Sequence, residues 1–382
     1  MSRILTLNAG SSSVKFALFT DGAAPERVLH GQIDGFGDAA QLIVDGEARA
    51  IGHCGPDHAL PVIFAAIGPH LHDQVVAAIG HRIVHGGADY RAPTELTPDV
   101  MARLEALSPL APLHQPYNLT TVRASMAAFP GAAQIGCFDT SFHRQMPWRA
   151  ETYALPRSYF DEGVRRYGFH GLSYDHVSTI LERDHPDLWK GKVVIAHLGS
   201  GASMCALDCG RSVATTMGFS ALDGLPMGTR SGQLDPAVVL YMLDQKGMSA
   251  AEVGRVLYRE SGLKGLSGLS NDMRVLEQSD APEAAAAIAY FTYRCQCEIG
   301  SLAAAMQGLD GMVFTAGIGE HSARIRRDVV AGLGWLGFAL DDSANAAHAR
   351  KISTSQNPVL VIPTDEEEVI ARASARVLPR KD

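Results

Sequence analysis

The sequence is poor in the features that would assign it to several large classes. Its six cysteines (Cys54, Cys137, Cys205, Cys209, Cys295 and Cys297) include no C-x-x-C pair and no zinc spacing with His. Reduced thiols are the simplest account. Basic residues are outnumbered, 33 Lys and Arg against 41 Asp and Glu, for a net charge of −8, and a nucleic-acid partner normally requires a basic face. The apolar stretch at 59–67 is far too short to span a bilayer. The N-terminus carries one Arg and meets Asn8 too early for a signal peptide, so the expected location is the cytoplasm. Also missing are G-x-x-x-x-G-K-[ST], the H-R-D and D-F-G pair and the G-x-S-x-G elbow. Their absence excludes a P-loop enzyme and a protein kinase and weakens a serine-hydrolase reading.

What remains is an ordinary globular composition, 46% hydrophobic and 19% charged over 382 residues, enough for about two domains with full cores. Residues 4–16, ILTLNAGSSSVKF, read as an apolar strand, a small polar turn and a second strand. Residues 193–207, VVIAHLGSGASMCAL, repeat the plan with His197 where the first copy has Asn8. Gly in such a turn reaches dihedrals that other residues avoid, and Ser adds a hydroxyl donor, so the turn can gather N–H groups around an anion. Either copy alone also reads as a tight surface hairpin. Two copies half a chain apart favour a duplicated phosphate cradle.

Short β-prone runs at 27–36, 40–44 and 47–52, with Asp45-Gly46 as a hairpin turn, extend the first copy into a mixed sheet. A helix at 61–70, a strand at 77–84, helices at 98–107 and 117–129 and a strand at 132–138 then alternate as in α/β architecture with parallel pairing. An irregular segment after Pro147 is the expected domain boundary. The second half repeats the order with helix 174–184, strand pair 193–207 and strand 211–216. Asp235 and Pro236 open a helix over 236–245, and Ser249 with Glu252 forms a capping box. An Ala-rich helix over 282–307, carrying Tyr290, Phe291 and Tyr293, is either core or a subunit interface. Strand 312–316 leads through GIGE into helix 322–333. Strand 359–362 leads into a last helix, 365–378, with Thr364 and Glu367 as its capping box.

Several polar groups stand out. In HRIVHGG the two-residue period puts Arg82 and Val84 on one strand face, where Arg82 could bind a carboxylate or phosphate beside an apolar wall, or be a salt-bridged strand-end arginine. Asp139 follows an apolar strand, at the end where ligands bind in open α/β sheets; it also reads as a turn or N-cap acid. His170, flanked by Gly, is a structural histidine or one with room for a ligand. Arg230 centres a Gly-rich loop, its planar fork suited to two phosphate oxygens. AGIGE suits a nucleotide edge or phosphate. Glu366, in an acidic first helical turn, is a helix-dipole acid or a cation ligand.

Ten segments follow one another nearly end to end: ILTLNAGSSSVKF, HRIVHGG, LAPLHQPYNL, FDTSFH, RRYGFHG, VIAHLGSGAS, GLPMGTRSG-x-LDP, GLSNDMR, FTAGIGEHSARIR and VIPTDEE. In order and spacing the chain resembles the acetate kinases. The resemblance implies an α/β, duplicated ribonuclease H-like (actin-like ATPase) fold of two domains with a central cleft. Residues 1–146, with helix 365–382 packing back, would form the first domain, and 147–364 a nucleotide-binding and dimerisation domain. It implies reversible formation of acetyl phosphate and ADP from acetate and ATP with Mg²⁺, or Mn²⁺ in its place, by a homodimer.

By position, the resemblance gives Asn8 and Ser13 the phosphate contact and the organisation of the metal site. Arg82 and Arg230 hold the carboxylate and the transferring phosphoryl group, His170 donates in the transition state, and Asp139 and Glu366 orient Mg²⁺ and its waters. His114 and His197 are further active-site histidines, and Val84, Leu113, Phe169 and Ala221 wall the acyl pocket. Lys15, Gly199, Ser200, Gly201, Asp272, Met273, Arg274, Gly317, Ile318 and His321 form the nucleotide set. Acetate is already a nucleophile at neutral pH, so two arginines, a histidine donor and Mg²⁺ suffice for direct in-line transfer.

Four positions depart from the family pattern. Ser200 and His321 stand where Asn is usual, Asp365 replaces an Asn beside the acids, and Ala221 replaces a Pro of the acyl pocket. Losing that Pro widens the pocket, while Val84 keeps it narrow, which favours acetate with some use of propionate. A propionate or butyrate kinase is the rival within enzymes, and Val84 discriminates against it. A non-catalytic nucleotide switch of the Hsp70 or actin kind is the rival outside them, and it has no need of the Arg82, His170 and Arg230 set.

Overall fold

The computed structural model describes residues 2–10, 13–112 and 114–378. The chain divides into two compact units, one of Met1–Arg144 with Asp365–Asp382 and the other of Gln145–Thr364. Among the described residues thirteen strands make two sheets, one per unit. The first unit holds β1 (Arg3–Ala9), β2 (Ser13–Thr20), β3 (Arg27–Asp34), β4 (Gly37–Val44), β5 (Glu47–Cys54), β6 (Val76–Ile83), β7 (Thr94–Glu95) and β8 (Ala133–Phe138). The second holds β9 (Lys192–Leu198), β10 (Ala202–Asp208), β11 (Arg211–Thr215), β12 (Gly311–Thr315) and β13 (Val359–Val361).

The sheets run β5-β4-β3-β2-β1-β6-β8-β7 and β11-β10-β9-β12-β13. Within the first, β3-β2-β1-β6-β8 matches the second strand for strand. A leading antiparallel hairpin carries a third antiparallel strand on one side. Two parallel strands follow on the other side. The repeated hairpin is therefore the visible part of a repeated sheet, the duplicated actin-like arrangement. The unbroken apolar runs of β1, β9 and β12 are buried along almost their whole length, as strands covered on both faces must be.

In the first unit the two-residue period sorts side chains between two layers. Leu5, Leu7, Phe16 and Leu18 pack with Leu60, Ile63 and Ile67 of helix Pro56–Leu71. Ile4, Ala17, Phe19 and Ala78 face the other way and meet Ala371 of the C-terminal helix Glu366–Val377. Asn8, in step with Ile4 and Thr6, thus comes out at the N-terminal end of that helix. In the second unit helix Pro282–Met306 packs across β9, β10 and β11, and helix Gly171–Asp184 packs on β9. No helix among the described residues is long and apolar enough to cross a membrane.

Three local expectations are corrected. The helix expected over 61–70 is Pro56–Leu71, with Pro61 and Pro69 inside it. Ala59, Leu60, Ile63 and Ile67 form one buried stripe, and packing that stripe outweighs the backbone bonds the prolines remove. GIGE is not a glycine turn, since Ala316–His321 is already helical, with Ala316 at a φ of 65°. The last helix is capped by Asp365, whose side chain accepts from the Glu368 N–H at 3.0 Å, rather than by Thr364 and Glu367. Asp is the stronger cap and sits one residue nearer the helix, and Glu367 is drawn to Asn8. Asp365 also pairs with Arg27, which offsets the charge it adds. The Asp45-Gly46 turn and the Ser249–Glu252 box form as read.

Gly80 allows the C-terminal helix its close approach. A Cβ there would stand 2.4 Å from Ile370 Cγ2 and 2.4 Å from Ser374 Oγ. Gly80→Ala is expected to destabilise the protein by about 1–3 kcal/mol, read as a lower urea midpoint. Gly68→Ala, in a helix and with nothing within 4 Å of its added Cβ, should raise it by up to about 1 kcal/mol. An unchanged midpoint for Gly80→Ala would contradict this packing.

Candidate active site

Two clusters carry the polar groups singled out above, one in each unit. In the first, β1 and β6 pair in parallel with Thr6 opposite Gly80, so two residues on Asn8 and Arg82 are neighbours. The Arg82 Nε–H donates to both oxygens of Asp139, at 3.1 and 3.0 Å, and its Nη2 donates to Asp139 Oδ2 at 2.6 Å. Its Nη1 donates to Asn8 Oδ1 at 3.2 Å. The Asn8 amide in turn donates to Glu366 Oε2 at 2.8 Å and Glu367 Oε1 at 3.2 Å. One chain of contacts therefore joins Asn8, Arg82, Asp139 and Glu366.

Asp139 is wholly buried and Asn8 nearly so. Burial alone would lower the Arg82 pKa, but the Asp139, Glu366 and Glu367 carboxylates outweigh it and raise the guanidinium above its ordinary value. Burial raises the Glu367 carboxyl; Lys15 opposes this and Glu366 reinforces it. Lys15 itself is exposed and pairs with Asn8 across the hairpin. Ser13 begins β2, its carbonyl accepting from the Gly10 N–H at 2.9 Å.

Sequence reasoning passed over two residues that shape this cluster. Beyond β6 the strand end is held by side chains. The Val84 N–H donates to Asn118 Oδ1 at 3.0 Å, and the Asn118 amide to the Ala9 carbonyl at 2.8 Å. Gln115 bonds both the N–H and the carbonyl of His85, at 3.1 and 3.0 Å. Both lie in the HQPYN segment, and their signal was two amides on the buried side of helix Gln115–Ala128. His114 stands at the N-terminal boundary of this helix without a side-chain cap bond, Val84 is buried, and Leu113 lies outside the described residues.

In the second unit His170 and His197 stack, ring centroids 4.2 Å apart and 18° from parallel. Each has Nδ1 on a serine: His170 on Ser203 Oγ and His197 on Ser173 Oγ, both at 2.8 Å. Tyr174 reaches the same Ser203 hydroxyl. His170 is itself left-handed, with a φ of 57°, just before helix Gly171–Asp184. The Gly199–Gly201 turn is the hub, its Gly199 N–H donating to Gly201 O at 3.1 Å. A Cβ on Gly201 would lie 3.2 Å from His170 Nε2 and 3.3 Å from Arg230 Nη2, so both donors close in on this turn and would have to give way by a few tenths of an ångström to any side chain there. Arg230 is oriented by Nη1 donating to the Ala221 carbonyl at 2.7 Å. Phe169 is buried and Ala221 half-buried.

The nucleotide set gathers unevenly around this hub. Ser200 is exposed, and its carbonyl accepts from the Gly228 N–H at 3.1 Å. The Asn271 carbonyl lies 3.1 Å from where a Cβ on Gly228 would be, which brings the SNDMR loop alongside. Asp272 caps the next short helix and binds Arg274. Met273 is buried, so its side chain serves the core. On the other side the Ala316 Cβ is 3.6 Å from a Gly199 Cβ position, followed by exposed Gly317, half-buried Ile318 and exposed His321.

The sequence profile of the Acetokinase family matches residues 3–372. An acetate kinase of Nitrobacter hamburgensis is 51% identical over 99% of this chain and 96% of its own length. Among solved structures, a propionate kinase from Francisella tularensis superposes with a TM-score of 0.92 at 33% identity over 99% of this chain and all of that one. A Porphyromonas gingivalis acetate kinase does so with a TM-score of 0.87 at 35% identity, over the same shares. A match of this length, together with a repeated sheet and the two clusters its motifs build, places the chain in the acetokinase family.

Proposed function

We propose that this chain transfers the γ-phosphoryl group of ATP to acetate, reversibly, giving acetyl phosphate and ADP, in the cytoplasm. The observation that carries the reading is the Arg82 cluster, a guanidinium locked by Asp139 and Asn8 beside acids, in a member of this family that also holds His170 and Arg230 around a glycine turn. A nucleotide switch gains nothing from a second, carboxylate-binding arginine.

In the transfer an acetate oxygen bonds to the γ-phosphorus as the bond to the β–γ bridging oxygen breaks, and ADP leaves with that electron pair. The transition state is loose, so its charge spreads over the equatorial phosphoryl oxygens, and the protein's task is positioning and neutralisation. Asp139 and Asn8 take three of the five N–H groups of Arg82, leaving two for an anion. Arg230 and His170 donate to the phosphoryl oxygens. The nucleotide is held by the Gly199–Gly201 turn, the Asp272–Arg274 loop and the Gly317–Ile318 edge.

The oxygen donors Asp139 and Glu366 suit a hard divalent cation such as Mg²⁺, which takes one or two protein carboxylates beside waters and substrate phosphates. No group of three or more His, Cys, Asp or Glu among the described residues would hold a metal alone, so the ion would share its coordination with the nucleotide. When bound it would neutralise phosphate charge.

The assembly we propose is a homodimer. Helix Pro236–Asp244 is apolar yet buries none of its residues, with Leu240 58% and Tyr241 51% exposed, and Tyr293 of the long helix is 58% exposed. Apolar exposure on this scale marks an interface.

Purified protein with Mg-ATP, hydroxylamine and acetate, propionate or butyrate should yield acyl hydroxamate fastest with acetate. No product from any acid would sink the reading, and a butyrate optimum would sink the narrow pocket. Arg82→Lys keeps a charge but loses the fork on Asp139, and should lower kcat/KM by about 10²–10³-fold. Asn8→Ala should depress turnover more than it weakens acetate binding; a raised KM for ATP with intact turnover would reverse the assignment of the two hairpins. Sedimentation should give twice the 40.7 kDa chain mass, and Leu240→Arg should shift it to the single chain. A monomeric wild type would overturn the dimer.

A further inference from the structure

The short helix Ala316–His321, which carries Gly317 and Ile318, is fixed at both ends by groups with no assigned part in the reaction. At its back end lies Arg326, fully buried. Its Nη1 donates to the Gly319 and Glu320 carbonyls at 2.9 and 2.8 Å, while Nε and Nη2 bind Asn345. A cation at a helix C-terminus is favourably placed, and this one holds the Glu320 backbone still.

At its front end Ala316 occupies the left-handed region, with a φ of 65°, at a cost of about 1–2 kcal/mol for an L-residue. The Glu320 side chain folds back over that turn, and its Oε1 accepts from the Ala316 N–H at 2.7 Å. The same oxygen accepts from the Thr364 N–H at 3.1 Å. Thr364 is where the β-ladder gives out. The Ile362 N–H still reaches the Phe314 carbonyl at 3.0 Å, Pro363 has no N–H, and the next donor finds Glu320 instead of a strand.

We infer that Glu320 is a positioning residue of the transfer reaction, its carboxylate oxygen tying the start of the nucleotide-edge helix to Thr364 at the end of the sheet and so fixing the Gly317–Ile318 edge. The inference rests on the phosphotransfer reading above. The requirement is for an acceptor at the reach of a glutamate, and charge is secondary. Gln keeps that acceptor without charge; Asp keeps the charge but is one methylene short.

The test compares Glu320→Gln, Glu320→Asp and Glu320→Ala with wild type by hydroxamate assay, varying ATP, Mg²⁺ and acetate in turn. Glu320→Asp and Glu320→Ala should raise the KM for ATP by about tenfold or more while the Mg²⁺ half-saturation and the KM for acetate stay within about twofold. Glu320→Gln should remain within about threefold of wild type throughout. A Gln variant as impaired as the Asp variant would mean that the charge acts on metal or nucleotide directly, and would overturn the inference; so would Asp and Ala variants with wild-type ATP dependence. If Glu320→Ala does not fold, the Gln and Asp pair decides alone. Wild-type protein inactive with every acid would instead fail the phosphotransfer reading before any variant is compared.

Discussion

The bidentate contact between Arg82 and Asp139 is the constraint around which the first unit is arranged. Asp139 is fully buried, and a carboxylate so placed requires a partner that satisfies both oxygens. Such a pair contributes little net stability, because taking both charges out of water costs about as much as their attraction returns. What it provides is a guanidinium held in one orientation at the end of β6. The surrounding acids then exceed the positive charge available: Asp139, Glu366 and Glu367 all act on Arg82, and Lys15 acts on Glu367. That surplus is what the divalent cation of the proposed reaction would offset.

The duplicated sheet supplies the same position twice and uses it differently. Asn8 and His197 are the penultimate residues of β1 and β9, each at the C-terminal end of a strand with one parallel neighbour, where open sheets bind ligands. In the first unit the parallel neighbour β6 delivers Arg82 beside Asn8, and acids complete the cluster. In the second, β12 delivers no charge. It delivers the turn into Ala316–His321, and the polar groups come instead from His170 and Arg230 around glycine. A single architecture thus gives one cluster suited to cation and carboxylate and one suited to phosphate oxygens.

Most of the fold was legible because its signals are local: apolar runs, the Asp45-Gly46 turn, the Ser249–Glu252 box and the repeated hairpin. The failures are places where distant residues decide. Thr364 and Glu367 read as a capping box until Asn8, far away in sequence, claims Glu367. Pro61 reads as a helix start until the core claims the preceding turn. GIGE reads as a glycine turn because a left-handed position normally belongs to Gly; here the strained residue is Ala316, held by Glu320. In the clusters, charged and Gly-flanked residues announced themselves, whereas Asn118, Gln115 and Ser203 did not. They act by fixing backbone or ring orientation, a role that leaves no mark in charge or motif.

Likeness of fold alone does not choose the acid. The Francisella tularensis propionate kinase superposes with a TM-score of 0.92 and the Porphyromonas gingivalis acetate kinase with 0.87, at 33% and 35% identity, so the fold is common to both chemistries. Preference must reside in a few side chains, where one methylene is worth about 1–3 kcal/mol. The structure makes those positions less independent than their names suggest. The Val84 N–H is held by Asn118, so in the proposed pocket a longer acid would meet a wall whose backbone is tethered. The Ala221 carbonyl accepts from Arg230 Nη1, so in the proposed site residue 221 would steer that arginine as well as set the width of a wall. Ala in place of Pro leaves that carbonyl available but frees the φ that proline would lock. In the proposed reaction, room at 221 would therefore come with slack in Arg230, and a longer acid admitted there would meet a less firmly aimed arginine.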